Sequence, residues 1–345
     1  MSTIVNAPNA LSIPQSIEDN PGDFRMLTGD RPTGLLHVGH YFGTLQGRVR
    51  LQNLGVDTLV LIADYQVLTD RDAADRLPHY VEEFLLDYLA VGIDPSRSTI
   101  FAHSAVPALN QLLLPFLSLV STAELSRNPT VKEEIAASGR DAVSGLMFTY
   151  PVHQAADLLF CNADIAPVGD DQIPHLELTR TIARRFNDRY EPLFTLPQAL
   201  LSRAPRLRGL DGSAKMGKSL SNAIPLSASA DETARMIRTA TTDADRHITY
   251  DPEGRPEVSN LLLIASLCTG HDPHELADGL DGAAALKRLL TEAVNEHFAP
   301  IRLRRQEYAR DRAQLRAILR DGNARASAIA DDTLARVHRA MRTAY

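Results

Sequence analysis

The chain has no tryptophan and only two cysteines, Cys161 and Cys268, in 345 residues. Without a CxxC spacing, neither a disulfide framework nor a cysteine-built metal centre is expected. No apolar run reaches the roughly 18 to 20 residues that span a bilayer. P-loop NTPase chemistry is not expected either. The first 23 residues lack a basic start followed by an apolar stretch. Polar and rich in Pro and Asn, they read as a disordered extension and not as a signal peptide. What remains is ordinary composition for a cytoplasmic globular protein, 44% hydrophobic and 23% charged, at a length that suggests two domains.

Charge is unevenly spread. The net value of -7 combines a basic end with an acidic body. From Leu286 to Tyr345 there are 13 Lys/Arg against 7 Asp/Glu, and the rest of the chain holds 23 against 36. A basic tail of this kind suits contact with a polyanion, and equally suits a solvated helical surface.

Phe24 to Thr28, Asp57 to Ala63, Ser98 to Ala102 and Ala163 to Val168 are short apolar runs of strand length. Between them, His40 to Leu54, Pro78 to Val91 and Val152 to Phe160 carry helical spacing. Strand and helix in alternation predict an α/β fold, a doubly wound parallel sheet. Beyond residue 228 only helical spacing remains, with breaks expected near 253, 270, 279 and 322.

Two segments point to nucleotide chemistry. Thr28 to Tyr41, TGDRPTGLLHVGHY, follows a strand and opens a helix, where open α/β sheets bind nucleotides. Gly29 and Gly34 permit tight backbone, and Gly39 permits close approach of adenine or ribose. His37 and His40 share the face of the first turn and can donate to phosphoryl oxygens. Ala214 to Ala223, AKMGKSLSNA, places Lys215 and Lys218 three apart beside glycines. A mobile cationic loop of this kind can close over a triphosphate and neutralise departing pyrophosphate. Elsewhere, Asp157 is an isolated carboxylate on an apolar helical stretch and must find a partner. His175 and Glu177, two apart on a helix, face different ways, so a metal site is not expected and a surface role is preferred.

The HxGH and KMxKS pair resembles the two signatures of class I aminoacyl-tRNA synthetases. Gly145 to Asn187, with PVGDDQ and HLELTR, resembles the amino-acid pocket of tryptophanyl-tRNA synthetases. The similarity runs from Phe24 to the C-terminal helices. It implies ATP- and Mg2+-dependent activation of L-tryptophan, transfer to tRNA(Trp) and a homodimer. A Rossmann-like catalytic domain is implied over 24–228, with an all-helical anticodon-binding domain over 229–345. The resemblance gives catalytic roles to His37, His40, Lys215 and Lys218. It gives ATP contacts to Arg31, Thr33, Gly39, His40, Lys132, Asp171, Lys215, Met216, Lys218 and Ser219. Tryptophan contacts fall on Gln66, Tyr150, Gln154, Asp157, Val168 and Gln172, with Asp157 receiving the indole N–H and Tyr150 and Gln172 holding the ammonium. It also makes the dimer interface a second place for His175 and Glu177. Asp171 could instead cap a helix, and Lys132 could be an exposed lysine without a role.

Three positions depart from the bacterial pattern. Gly217 stands where the KMxKS loop usually has Ser, Gln66 where many relatives carry His, and Gln154 where they often carry Met. The last change creates Tyr150-x-x-x-Gln154-x-x-Asp157, a pattern that tyrosyl-tRNA synthetases use for a phenol hydroxyl. A tyrosyl enzyme is therefore an alternative, as is an HxGH nucleotidylyltransferase of small-molecule metabolism. A non-catalytic paralogue would be expected to lose the signature His or Lys residues, which this chain keeps.

Overall fold

The computed structural model describes residues 13–69, 75–129, 131–132, 143–201, 206–217, 220 and 222–345. Five parallel strands form one sheet: β1 (Arg25–Asp30), β2 (Asp57–Ile62), β3 (Ser98–Ala102), β4 (Ile165–Val168) and β5 (Gln198–Leu201). Their order is β3-β2-β1-β4-β5, so the winding direction reverses between β1 and β4. The first four coincide with the apolar runs of the sequence. β5 has no such run; its four residues QALL are mostly outside the core and owe their conformation to pairing with β4. Gly29 in β1 lies so close to β2 that a Cβ there would stand 2.6 Å from the Leu61 carbonyl oxygen.

The N-terminal segment departs from expectation where it is described. Gln15–Asp19 is a helix, and Ile17, 2% exposed, packs with Met26, Leu51, Val56, Ile165 and Leu200 under the sheet. Ile17, with the partly buried Ile13 beside it, anchors this part of the extension; residues 1–12 lie outside the described residues.

The helical region after residue 229 packs directly on the sheet domain. The helices Leu77–Val91, Pro256–Thr269 and Gly282–Ala309 share one hydrophobic core. Arginines expected to face a polyanion are engaged here. Arg305 pairs with the buried Asp87 at 2.8 Å and also with Glu83. Arg304 Nε donates to the Ala90 carbonyl (2.7 Å), Arg302 to Thr233 and Asn295, and Arg312 pairs with Glu82. Arg304, Arg310 and Arg312 are nonetheless exposed.

The last helix, Arg312–Ala340, runs unbroken through Gly322, where a break was expected. The glycine serves close approach instead: a Cβ on it would fall 1.8 Å from the Ile100 carbonyl oxygen of β3. Next to it, Asn323 accepts from the Ala102 N–H (3.0 Å) and Arg325 donates to the Ser98 carbonyl (3.0 Å). The β3 edge of the sheet is thereby covered, and two of its backbone groups gain partners.

Candidate active site

Where the strand order reverses, the loops after β1 and β4 leave in opposite directions and open a crevice, the usual ligand position in such sheets. A cavity of about 310 Å³ lies there. Gln66, Tyr150, Gln154, Asp157, Val168 and Gln172 all line it, together with Arg31 and the backbone of Gly29 and Gly169. Tyr150, Gln154 and Asp157 come from one helix, Gly145–Leu159, at the i, i+4, i+7 spacing that places them on one face.

The polar side chains are tied to one another. Gln154 Nε2 donates to Gln172 Oε1 (3.2 Å), whose own Nε2 donates to Asp171 Oδ2 (2.8 Å). Asp171 is exposed and makes no cap to the following helix, whose N-cap is Gln172. Asp157 is 3% exposed; its Oδ1 lies 2.6 Å from His103 Nε2, and its Oδ2 accepts from Gln66 Nε2 at 3.5 Å. His175 is not on the surface. It is 1% exposed, lines the cavity and lies 3.1 Å from the Tyr150 hydroxyl. Burial, helped by Arg31, pulls its pKa down to about 4 against the opposing charge of Asp171, so the ring is neutral near pH 7.

The first signature forms a cap made of two imidazoles. The Gly39 N–H donates to His37 Nδ1 (3.2 Å) and the His37 N–H donates to His40 Nδ1 (3.3 Å). With both Nδ1 atoms accepting, the neutral rings carry their protons on Nε2, as donors to phosphoryl oxygens must. A Cβ at Gly39 would press on the His37 ring at 3.0 Å and lie 3.6 Å from Met216 Sδ, so the second signature touches the first. Asn222, 4% exposed, organises that second segment: it accepts from the Gly217 N–H (2.9 Å) and donates to the Lys215 carbonyl (3.2 Å) and Ser213 Oγ (2.6 Å). Lys215 and Lys132 are exposed, and Thr33 is half-buried on the loop after β1. Lys218 and Ser219 lie outside the described residues.

A mononucleotide-type sheet, an HxGH cap and a lysine segment docked on it are the parts of an adenylating enzyme. The family described as tRNA synthetases class I (W and Y) matches residues 19–299. The chain belongs to this family. The tryptophan–tRNA ligase of Streptococcus agalactiae is 42% identical over 337 residues, covering 93% of this chain and 98% of the relative. The tryptophanyl-tRNA synthetase of Campylobacter jejuni, solved with ADP and tryptophan, superposes with a TM-score of 0.81 at 30% identity, covering 92% of this chain and 99% of that one. That of Mycoplasma pneumoniae gives 0.80 at 28% identity, with 92% and 97% covered.

Four residues in or beside the cavity escaped the sequence reading. Arg48 and Asp30 line the cavity as a buried ion pair (2.5 Å), with the Tyr88 hydroxyl donating to the same carboxylate (2.8 Å). His103 and His153 surround Asp157. Signals existed: His103 directly follows β3, at the strand ends where sites collect, and His153 precedes Asp157 by one helical turn. His103, His153 and Asp157 hold potential ligand atoms within 4.8 Å of one another. A metal does not fit the arrangement as it stands. Two ligands of a tetrahedral zinc are about 3.3 Å apart, and the 2.6 Å between His103 and Asp157 is a hydrogen bond. Among the described residues no helix is long and apolar enough to cross a membrane.

Proposed function

We propose that this synthetase activates L-tryptophan with Mg-ATP and esterifies the 3′-terminal adenosine of tRNA(Trp), acting as a cytoplasmic homodimer. The observation that carries the reading is Asp157, a buried carboxylate lining the cavity, with Oδ1 held by His103 and Oδ2 3.5 Å from Gln66 Nε2. An indole ring needs an apolar slot with one acceptor for its N–H, because a buried unpaired donor costs about 1–3 kcal/mol. Tyr150 and Gln172, which also line the cavity, suit the substrate ammonium. The tryptophan ligases at 40–42% identity support tryptophan over tyrosine.

In the reaction the amino-acid carboxylate attacks the α-phosphorus, and the bond from that phosphorus to the bridging oxygen breaks as pyrophosphate leaves. A ribose hydroxyl of the terminal adenosine then attacks the carbonyl carbon of the adenylate and releases AMP. The protein positions and stabilises charge. His37 and His40 would hold the triphosphate through Nε2–H, Gly39 would admit the ribose-adenine side, and Arg31, Thr33, Lys132 and Asp171 would complete the ATP contacts. Lys215 and Lys218, with Met216 and Ser219 between and beside them, would meet the leaving pyrophosphate. Residues from 229 onward would contact the anticodon region, with exposed Arg310 and Arg320 better placed for it than the engaged arginines. Charging of unfractionated bacterial tRNA with labelled tryptophan or tyrosine tests the reading: tryptophan should be esterified, and charging with tyrosine alone would replace it with the tyrosyl alternative.

A further inference from the structure

The Asp157 carboxylate is not simply buried; it is built into a second layer of imidazoles. His103 is fully buried, and its Nε2 lies 2.6 Å from Asp157 Oδ1. The Tyr65 ring stacks on one side of it with centroids 6.4 Å apart, and the His153 ring packs at 4.6 Å. Protons can be placed on this network. Asn110 Nδ2 donates to the carbonyls of His103 (2.9 Å) and Val106 (3.0 Å), so the other Asn110 amide atom is the oxygen. That oxygen lies 2.7 Å from His153 Nε2, which therefore carries the proton. Burial lowers the His153 pKa. His103 Nδ1 and His153 Nδ1 are both buried without a hydrogen-bond partner. A carboxylate can only accept, so His103 Nε2 must donate to Asp157 Oδ1.

We propose that His103 is a positioning residue for amino-acid selection: its Nε2–H occupies Asp157 Oδ1 and holds the carboxylate in one orientation, so that Oδ2 is presented to the substrate's ring N–H. The proposal rests on the tryptophan reading above and adds to it the residue that makes Asp157 selective. A buried carboxylate with no donor on its inner oxygen would rotate or take up a proton, and in either case would accept an N–H less well. Asn110 and His153 support the arrangement from behind, fixing the His103 backbone and filling the space beside its ring. Gln66, at 3.5 Å from Oδ2, is too long a contact to do this alone.

The test compares His103→Leu, His103→Asn and His103→Gln in tryptophan-dependent pyrophosphate exchange, with 3-benzothienylalanine as the analogue that lacks the ring N–H. Gln keeps an N–H donor near the reach of Nε2; Asn keeps the donor but falls short. Leu and Asn should raise the KM for tryptophan about 10- to 100-fold while kcat changes less than about threefold. The KM ratio between analogue and tryptophan should shrink by the same factor, and Gln should restore both to within about threefold. If the Leu variant does not fold, the contrast between Asn and Gln decides. An unchanged ratio in folded Asn and Leu variants overturns the proposal. Asp157→Ala separates the two layers: if it collapses discrimination where the His103 variants do not, only the positioning role fails. If it too leaves discrimination intact, the underlying assignment of Asp157 fails.

Discussion

His37 and Pro225 stand opposite each other in an antiparallel bridge, which fastens the first nucleotide signature to the base of the second. Val38 N–H donates to the Ile224 carbonyl (3.0 Å) and Leu226 N–H to the Leu36 carbonyl (2.9 Å), completing a short ladder. The described part of the lysine segment is thus hinged beside the histidine cap, with Met216 Sδ against Gly39.

Asn222 is the side chain that shapes the segment above that hinge. Asn222→Ala should lower kcat for adenylate formation about 10-fold or more, with the KM for tryptophan changed less than threefold, since Asn222 does not line the cavity. Single-turnover adenylate formation reads this directly. An equal loss in tryptophan binding would mean that Asn222 supports the whole fold.

Lys218→Ala should slow adenylate formation by about two orders of magnitude or more and leave tryptophan binding nearly intact. Its interaction would grow only as pyrophosphate departs, so its loss falls on the transition state. Equal losses in binding and turnover would make it a ground-state ligand.

His175 makes stability depend on pH. Its folded pKa of about 4 is below the ordinary 6.5, so below pH 6.5 the unfolded chain binds a proton that the folded chain refuses. The stabilisation is present above 6.5 and is lost as pH falls toward 4. Between pH 7.5 and 4.5 this one group should remove about 2–3 kcal/mol. Urea titrations of the wild type and His175→Gln at both values should show a smaller acid loss in the variant by about that amount; identical losses would refute the assignment.

Gly322→Ala should destabilise the protein by about 2–3 kcal/mol, although in an exposed helix interior the same change stabilises by up to about 1 kcal/mol. The sign is diagnostic, because the added methyl would strike the Ile100 carbonyl. A raised melting temperature would show that the helix is free to move off β3.

Much of this was legible in local pattern. Apolar runs announce β1 to β4, and the glycines and histidines of Thr28 to Tyr41 carry their meaning within one strand-turn-helix unit. Tyr150, Gln154 and Asp157 were reached through the family resemblance, and the helix Gly145–Leu159, longer than the spacing from Val152 suggests, puts them on one face. What escaped depends on partners distant in the chain. β5 is a strand because β4 lies beside it. Arg305 is an internal ion pair because Asp87 lies opposite it, and Gly322 is a contact point because Ile100 lies under it. His103 and Asp157 meet only when β3 and the Gly145–Leu159 helix pack together. No periodicity within either segment encodes such a pairing.

The most direct test of the account is amino-acid-dependent ATP–pyrophosphate exchange measured across all twenty amino acids. Tryptophan alone should support rapid exchange, and Asp157→Ala should raise its KM by about 10-fold or more. Exchange driven by tyrosine instead, or by no amino acid at all, would contradict it.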